Sequence, residues 1–122
     1  MSQRISADLF VIKPSGINLT KINKSNYPII NINSGKVVEG KMKPSSDTPT
    51  HLILYKKFSE IGGIVHTHSL YATIWSQSNK EIPILGTTHA DYFNDKILIT
   101  RKLTSNQILK NYEMNTGLAI CE

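Results

Sequence analysis

The period of apolar and polar positions changes several times along the chain. Leu9-Phe10-Val11-Ile12 is a short aromatic and β-branched run, closed by Pro14-Ser15-Gly16, where proline fixes φ and glycine frees it. The pair reads as a strand followed by a turn. A second apolar run at residues 29–32 is separated by Asn33-Ser34-Gly35 from Lys36-Val37-Val38-Glu39 and Gly40, which predicts a β-hairpin. After the polar residues 41–46 the period lengthens. Leu52, Tyr55 and Phe58 recur at helical spacing, Ser46 and Asp47 are good N-cap types, and Pro49 suits a first turn, so a helix is expected to begin near Asp47. Gly62-Gly63 then lead into a predicted strand, Ile64-Val65-His66-Thr67-His68, and Ser69 opens a second helix through Ala72, Ile74 and Trp75. Short strands are expected at residues 82–85 and 96–99, on either side of the polar segment 87–94. Thr104 with Gln107 forms a capping box for a third helix through Ile108, Leu109 and Tyr112; Gly117 is expected to end it, and Leu118-Ala119-Ile120-Cys121 reads as the start of another strand. Without repeats or linkers, this alternation predicts a single α/β domain over residues 1–122, built on a mixed sheet flanked by helices.

Composition narrows the picture. A chain of 122 residues with 39% hydrophobic and 19% charged positions has the make-up of a soluble globular domain, and burying roughly two-thirds of its unfolded surface is within reach. No apolar run approaches the ~20 residues of a bilayer span, so no membrane partner is expected, and residues 1–8 lack the apolar core of a secretory signal. The lone Cys121 excludes an internal disulfide and suits a reducing cytoplasm. The net charge of +5 comes from scattered lysines with no block or nucleic-acid-binding pattern, so no nucleic-acid partner is expected. A phosphorylated small molecule is the better use of such cations.

Several clusters carry possible chemistry. His66 and His68 are two apart on a predicted strand, so both imidazoles point to one face and can converge on a divalent metal. Spacing alone is not specific; an exposed strand histidine beside a satisfied polar one is the plainer alternative. Lys43-Pro44-Ser45-Ser46-Asp47 stands at a predicted helix N-terminus, where free amides, the helix dipole and two hydroxyls favour an anion. A simple N-cap is the commoner use of such residues. Lys13-Pro14-Ser15-Gly16 is a similar hydroxyl-bearing turn. In the segment Thr87-Thr88-His89-Ala90-Asp91-Tyr92-Phe93, Asp91 has the chemistry of a general acid/base and His89 that of a third ligand or orienting group, against the alternative of a plain polar loop. No G-x-S-x-G, P-loop or dinucleotide glycine pattern is present.

Taken in order, the segments Val11-Ile12-Lys13-Pro14-Ser15-Gly16, Gly35-Lys36-Val37-Val38-Glu39-Gly40, Lys43-Pro44-Ser45-Ser46-Asp47-Thr48-Pro49-Thr50-His51, Ile61-Gly62-Gly63-Ile64-Val65-His66-Thr67-His68-Ser69, Gly86-Thr87-Thr88-His89-Ala90-Asp91-Tyr92-Phe93 and Thr100-Arg101-Lys102 resemble the class II aldolase/adducin superfamily. Within it they resemble the epimerases that act on L-ribulose 5-phosphate. The resemblance implies a class II aldolase-like α/β fold, a central mixed or antiparallel sheet flanked by helices, and a site for Zn2+ or another divalent metal. By the same resemblance His66, His68 and Asp47 are metal ligands; Ser15, Gly16, Ser45, Ser46 and Asp47 bind the substrate, with the serines and glycine on its phosphate; and Asp91 is one of two proton-transfer residues. The implied substrate is a phosphorylated ketopentose, cleaved and rejoined by retro-aldol and aldol steps with inversion at one carbon. Asp47 after the Ser-Ser pair sets the chain apart from aldolase relatives, which carry Glu there; a fuculose- or rhamnulose-phosphate-type aldolase is the second expectation.

The family's third metal histidine and an interfacial catalytic tyrosine have no counterpart in these residues, and its N-terminal helix and Gly-Asn substrate loop would precede residue 1. The sequence is therefore read as an incomplete form of the fold, weakly active or inactive by itself, with a non-catalytic metal-binding remnant as a further alternative. Relatives imply a homotetramer, which such a chain is not expected to complete.

Overall fold

The computed structural model describes residues 1–18, 23 and 26–122. Its contacts divide the chain into two compact units, one formed by residues 1–65 with 102–122 and one by residues 66–101.

The first unit contains a five-stranded antiparallel sheet, made of β1 (Ser2–Arg4), β2 (Leu9–Ile12), β3 (Ile29–Asn31), β4 (Val37–Glu39) and β5 (Gly63–Ile64), in the spatial order β4-β3-β2-β1-β5. The period-2 pattern of β2 turns Phe10 and Ile12 inward, while Leu9 and Val11 are only half-buried. Phe10, Ile12, Ile30 and Ile32 pack with Tyr55 as the core, flanked by Leu52, Ile61 and Ile64. The Phe10 and Tyr55 rings lie 4.8 Å apart at 38°, a tilted arrangement that aromatic quadrupoles favour. The β3–β4 hairpin forms where expected. Asn31 closes its turn, with its carbonyl oxygen accepting from the Gly35 N–H at 2.8 Å and its side-chain Oδ1 from the Ser34 N–H at 2.8 Å.

Tyr55 comes from α1 (Thr48–Lys57), which begins one residue after Asp47 with proline in its first turn, as the capping residues predict. The helix ending the chain, α4 (Ser105–Ile120), carries the expected capping box at Thr104 and Gln107 and departs from helical geometry at Asn111 (φ −156°, ψ 65°). It does not stop at Gly117, and the strand expected from Leu118 is helical instead. Gly117 is buried against α1: a Cβ there would lie 3.0 Å from Ile53 Cβ and 3.1 Å from the Thr50 carbonyl oxygen. The missing side chain lets two helices approach, and Thr50 Oγ1 donates to the Glu113 carbonyl at 2.6 Å across the same contact.

The second unit holds α2 (Leu70–Gln77) and the single turn α3 (Thr87–Ala90). The strands expected at residues 82–85 and 96–99 reduce to one antiparallel pair, Ile82 with Ile97, bonded in both directions at 3.0 and 2.9 Å. The strand expected over residues 64–68 is regular only at Gly63–Ile64, and residues 65–69 follow without regular secondary structure. None of residues 66–101 is buried.

Candidate functional site

The two hydroxyl-bearing turns meet. Lys13-Pro14-Ser15 leaves the end of β2, Lys43-Pro44-Ser45 leads into α1, and these identical tripeptides run antiparallel with Pro14 opposite Pro44. The Ser15 N–H donates to the Lys43 carbonyl at 2.9 Å, and the Ser45 N–H to the Lys13 carbonyl at 3.1 Å. Each turn is thereby held by the other, and Ser15, Gly16, Ser45, Ser46 and Asp47 are gathered between the exit of β2 and the start of α1. Pro14 is fully buried, whereas Ser15, Gly16 and Ser46 are exposed. Gly16 takes φ +69° with open space where a side chain would stand, so the backbone itself is accessible.

Local bonds explain how α1 starts. Ser45 accepts at its carbonyl from Thr48 Oγ1 (2.6 Å) and the Thr48 N–H (3.1 Å), and its Oγ accepts from the Asp47 N–H at 3.3 Å. Asp47 stands at the N-cap position, but its side chain makes no capping bond among the described residues. The capping role thus falls to Ser45, not to the carboxylate. Exposed hydroxyls, an accessible glycine backbone, a helix N-terminus and two nearby lysines together form a cradle suited to a phosphate.

In the second unit the His66 and His68 rings are neighbours, with centroids 4.9 Å apart and planes at 44°. The strand expected to hold them on one face ends at Ile64, so the ring contact arises in a segment without regular secondary structure. Both are exposed. This donor pair fits two positions of a divalent metal site, and imidazole suits zinc. Among the described residues, no group of three or more His, Cys, Asp or Glu side chains gathers to complete one. Asp47 belongs to the first unit and His66, His68 and Asp91 to the second. Asp91 is exposed at the C-cap of α3, its N–H donating to the Thr87 carbonyl at 2.8 Å. His89 sets its ring edge-on to Phe93 at 5.4 Å and 86°, and its buried Nε2 has no hydrogen-bond partner among the described residues.

Sequence reasoning passed over a buried polar network. Ser2 Oγ lies 2.7 Å from His51 Nδ1 and 2.9 Å from Tyr55 Oη. The Arg4 guanidinium sits 4.9 Å over the Tyr55 ring, within cation–π range. Burial holds the Tyr55 phenol above its ordinary value of 10.0, against the opposing pull of the Ser2 hydrogen bond and the Arg4 charge. The available signal was the i, i+4 spacing of His51 and Tyr55, which puts both on one helix face.

Residues 1–118 match the Class II Aldolase and Adducin N-terminal domain, and the chain belongs to this family. Among solved structures it is similar to an L-fuculose 1-phosphate aldolase, at a TM-score of 0.74 and 31% sequence identity, over 93% of this chain and 51% of that one. It spans about half the length of that relative. The family and the antiparallel five-stranded sheet bear out the expected class II aldolase-like α/β fold. Among the described residues, no helix is long and apolar enough to cross a membrane.

Proposed function

We propose that the chain supplies the phosphate cradle and three metal ligands, His66, His68 and Asp47, of an enzyme that breaks and remakes a carbon–carbon bond in a phosphorylated ketose, with L-ribulose 5-phosphate 4-epimerisation as its reaction. The paired Lys-Pro-Ser turns carry this reading, since they bring exposed serines, Gly16 and the α1 N-terminus to one place. Asp47 in place of the aldolase Glu favours the epimerase over its relatives. Similarity to an L-fuculose 1-phosphate aldolase at 31% identity favours the second reading, an aldolase acting on a ketose 1-phosphate.

In this mechanism Ser15, Gly16, Ser45 and Ser46 hold the phosphate and so keep the cleaved fragment from diffusing away. His66, His68 and Asp47 would hold Zn2+ or another divalent cation. When bound, the cation supplies Lewis acidity toward negative charge developing on the ketose oxygens. Asp91 moves a proton at the carbinol oxygen of the breaking bond. The lone cysteine fits a cytoplasmic setting for this chemistry.

Purified chain with zinc, assayed on L-ribulose 5-phosphate and on L-fuculose 1-phosphate, separates the readings. D-xylulose 5-phosphate formation supports the epimerase, and cleavage of the second substrate supports the aldolase. Zinc binding without either turnover fits both a metal-binding remnant and the weakly active or inactive form expected of this chain, and phosphate binding at the paired turns then favours the latter. In whichever form turns over, Asp91→Asn is expected to lower kcat by about 100-fold or more with zinc affinity kept.

A further inference from the structure

Ser2 lies where three site-bearing segments converge. Its cross-strand partner on one side is Ile12, the last residue of β2 and the one before Lys13-Pro14-Ser15-Gly16; on the other side it is Ile64 of β5. Its side chain reaches α1 at His51 and Tyr55, which are 1% and 2% exposed. His51 belongs to the first turns of that helix, its N–H donating to the Asp47 carbonyl at 3.0 Å. Arg4, the next residue of β1 on the same face, holds the other end: its Nη2 donates to the Tyr55 carbonyl at 2.7 Å and the Phe58 carbonyl at 3.3 Å, and its Nε to the Ile61 carbonyl at 3.1 Å.

Apolar packing alone would hold α1 on the sheet but tolerate sliding and rotation, because the hydrophobic effect is non-directional. Hydrogen bonds to buried groups are directional and costly to leave unmade. The cradle is formed by the start of α1 and the exit of β2, so its shape depends on where the helix sits along the sheet. Arg4 fixes only the C-terminal end.

We infer that Ser2, acting through His51, is a positioning residue that works beside the backbone bonds joining the two Lys-Pro-Ser turns, setting the tilt of the α1 N-terminus on the sheet and so tuning the geometry of the anion cradle. The inference rests on reading that cradle as a phosphate site. The test is calorimetric titration of the whole chain with inorganic phosphate. Ser2→Ala is expected to weaken phosphate binding about tenfold, as loss of a group that orients a binding residue does. Ser2→Thr, which keeps the hydroxyl, restores it. Ile30→Val, a core truncation on β3, leaves phosphate affinity unchanged although it also lowers stability. Should Ser2→Ala fail to fold, Ser2→Cys, similar in size with a weak donor, is read in its place by the same criteria. Unaltered phosphate binding in the Ser2 variant overturns the positioning role and leaves the cradle standing. Equal weakening by Ile30→Val reduces the role to general stability and also overturns it. No phosphate binding by the unaltered chain removes the cradle and the inference together.

Discussion

The two compact units solve the problem of placing chemical groups in opposite ways. In the first, every inward position of β2 is buried and the proposed phosphate cradle is held by backbone bonds between the turn that leaves the sheet and the turn that enters a helix. In the second, none of residues 66–101 is buried, the sheet-like bonding is one residue pair, and Tyr71, Leu85, Tyr92 and Leu98 are largely exposed. An anion cradle needs amides and hydroxyls held before the ligand arrives, so it belongs on a packed scaffold. Metal ligands can draw part of their order from the ion, because binding free energy and folding free energy are then shared. Under the proposed metal binding, the histidine-bearing segment is the part whose order responds to the ion.

The largest effect expected is on the packed unit. Phe10→Ala removes a fully buried ring that stacks on Tyr55 and should cost about 3–5 kcal/mol in urea denaturation, whereas Leu98→Ala, at an exposed position, should cost less than about 0.5 kcal/mol. Similar losses at both sites would erase the contrast. Next comes the ligand response. Zinc should slow amide exchange across residues 66–101 and leave β2 and β3 unchanged, and His66→Ala or His68→Ala should lower zinc affinity at least about tenfold and abolish that protection. Protection that appears equally without His66 would remove the histidine pair from the metal site. Gly117→Ala forces a side chain into the α1–α4 contact and should cost about 1–3 kcal/mol, measured by thermal unfolding. The smallest effect is alkaline. Because the folded Tyr55 phenol is raised above 10.0, its contribution to stability is complete below that pH and is lost as pH rises through the folded value. Tyr55→Phe should flatten this part of the stability profile.

What was legible in the sequence had local causes. Alternation in Leu9-Phe10-Val11-Ile12, the Asn33-Ser34-Gly35 turn, the start of α1 and the Thr104–Gln107 capping box each depend on residues within a few positions, and each appears where expected. β1 was not visible, because Ser2-Gln3-Arg4 has no apolar alternation and is held by pairing with strands on both sides and by side-chain bonds to residues about fifty positions away. Gly117 has the residue type of a helix end but serves a distant partner. In the site, the His66 and His68 rings are neighbours, but the strand from which their common face was expected ends at Ile64, so their closeness is not a product of strand spacing. The mutual pairing of the two Lys-Pro-Ser turns was hidden, since each alone is an ordinary turn.

That pairing also limits which donors a guest meets. The main-chain N–H groups of Ser15 and Ser45 are already spent on carbonyls of the opposite loop, and those of Asp47 and Thr48 on Ser45, so recognition of an anion must fall to the serine hydroxyls, the lysines and the main chain around Gly16. It also makes the loops intolerant of altered length: one residue added to either would throw both out of register.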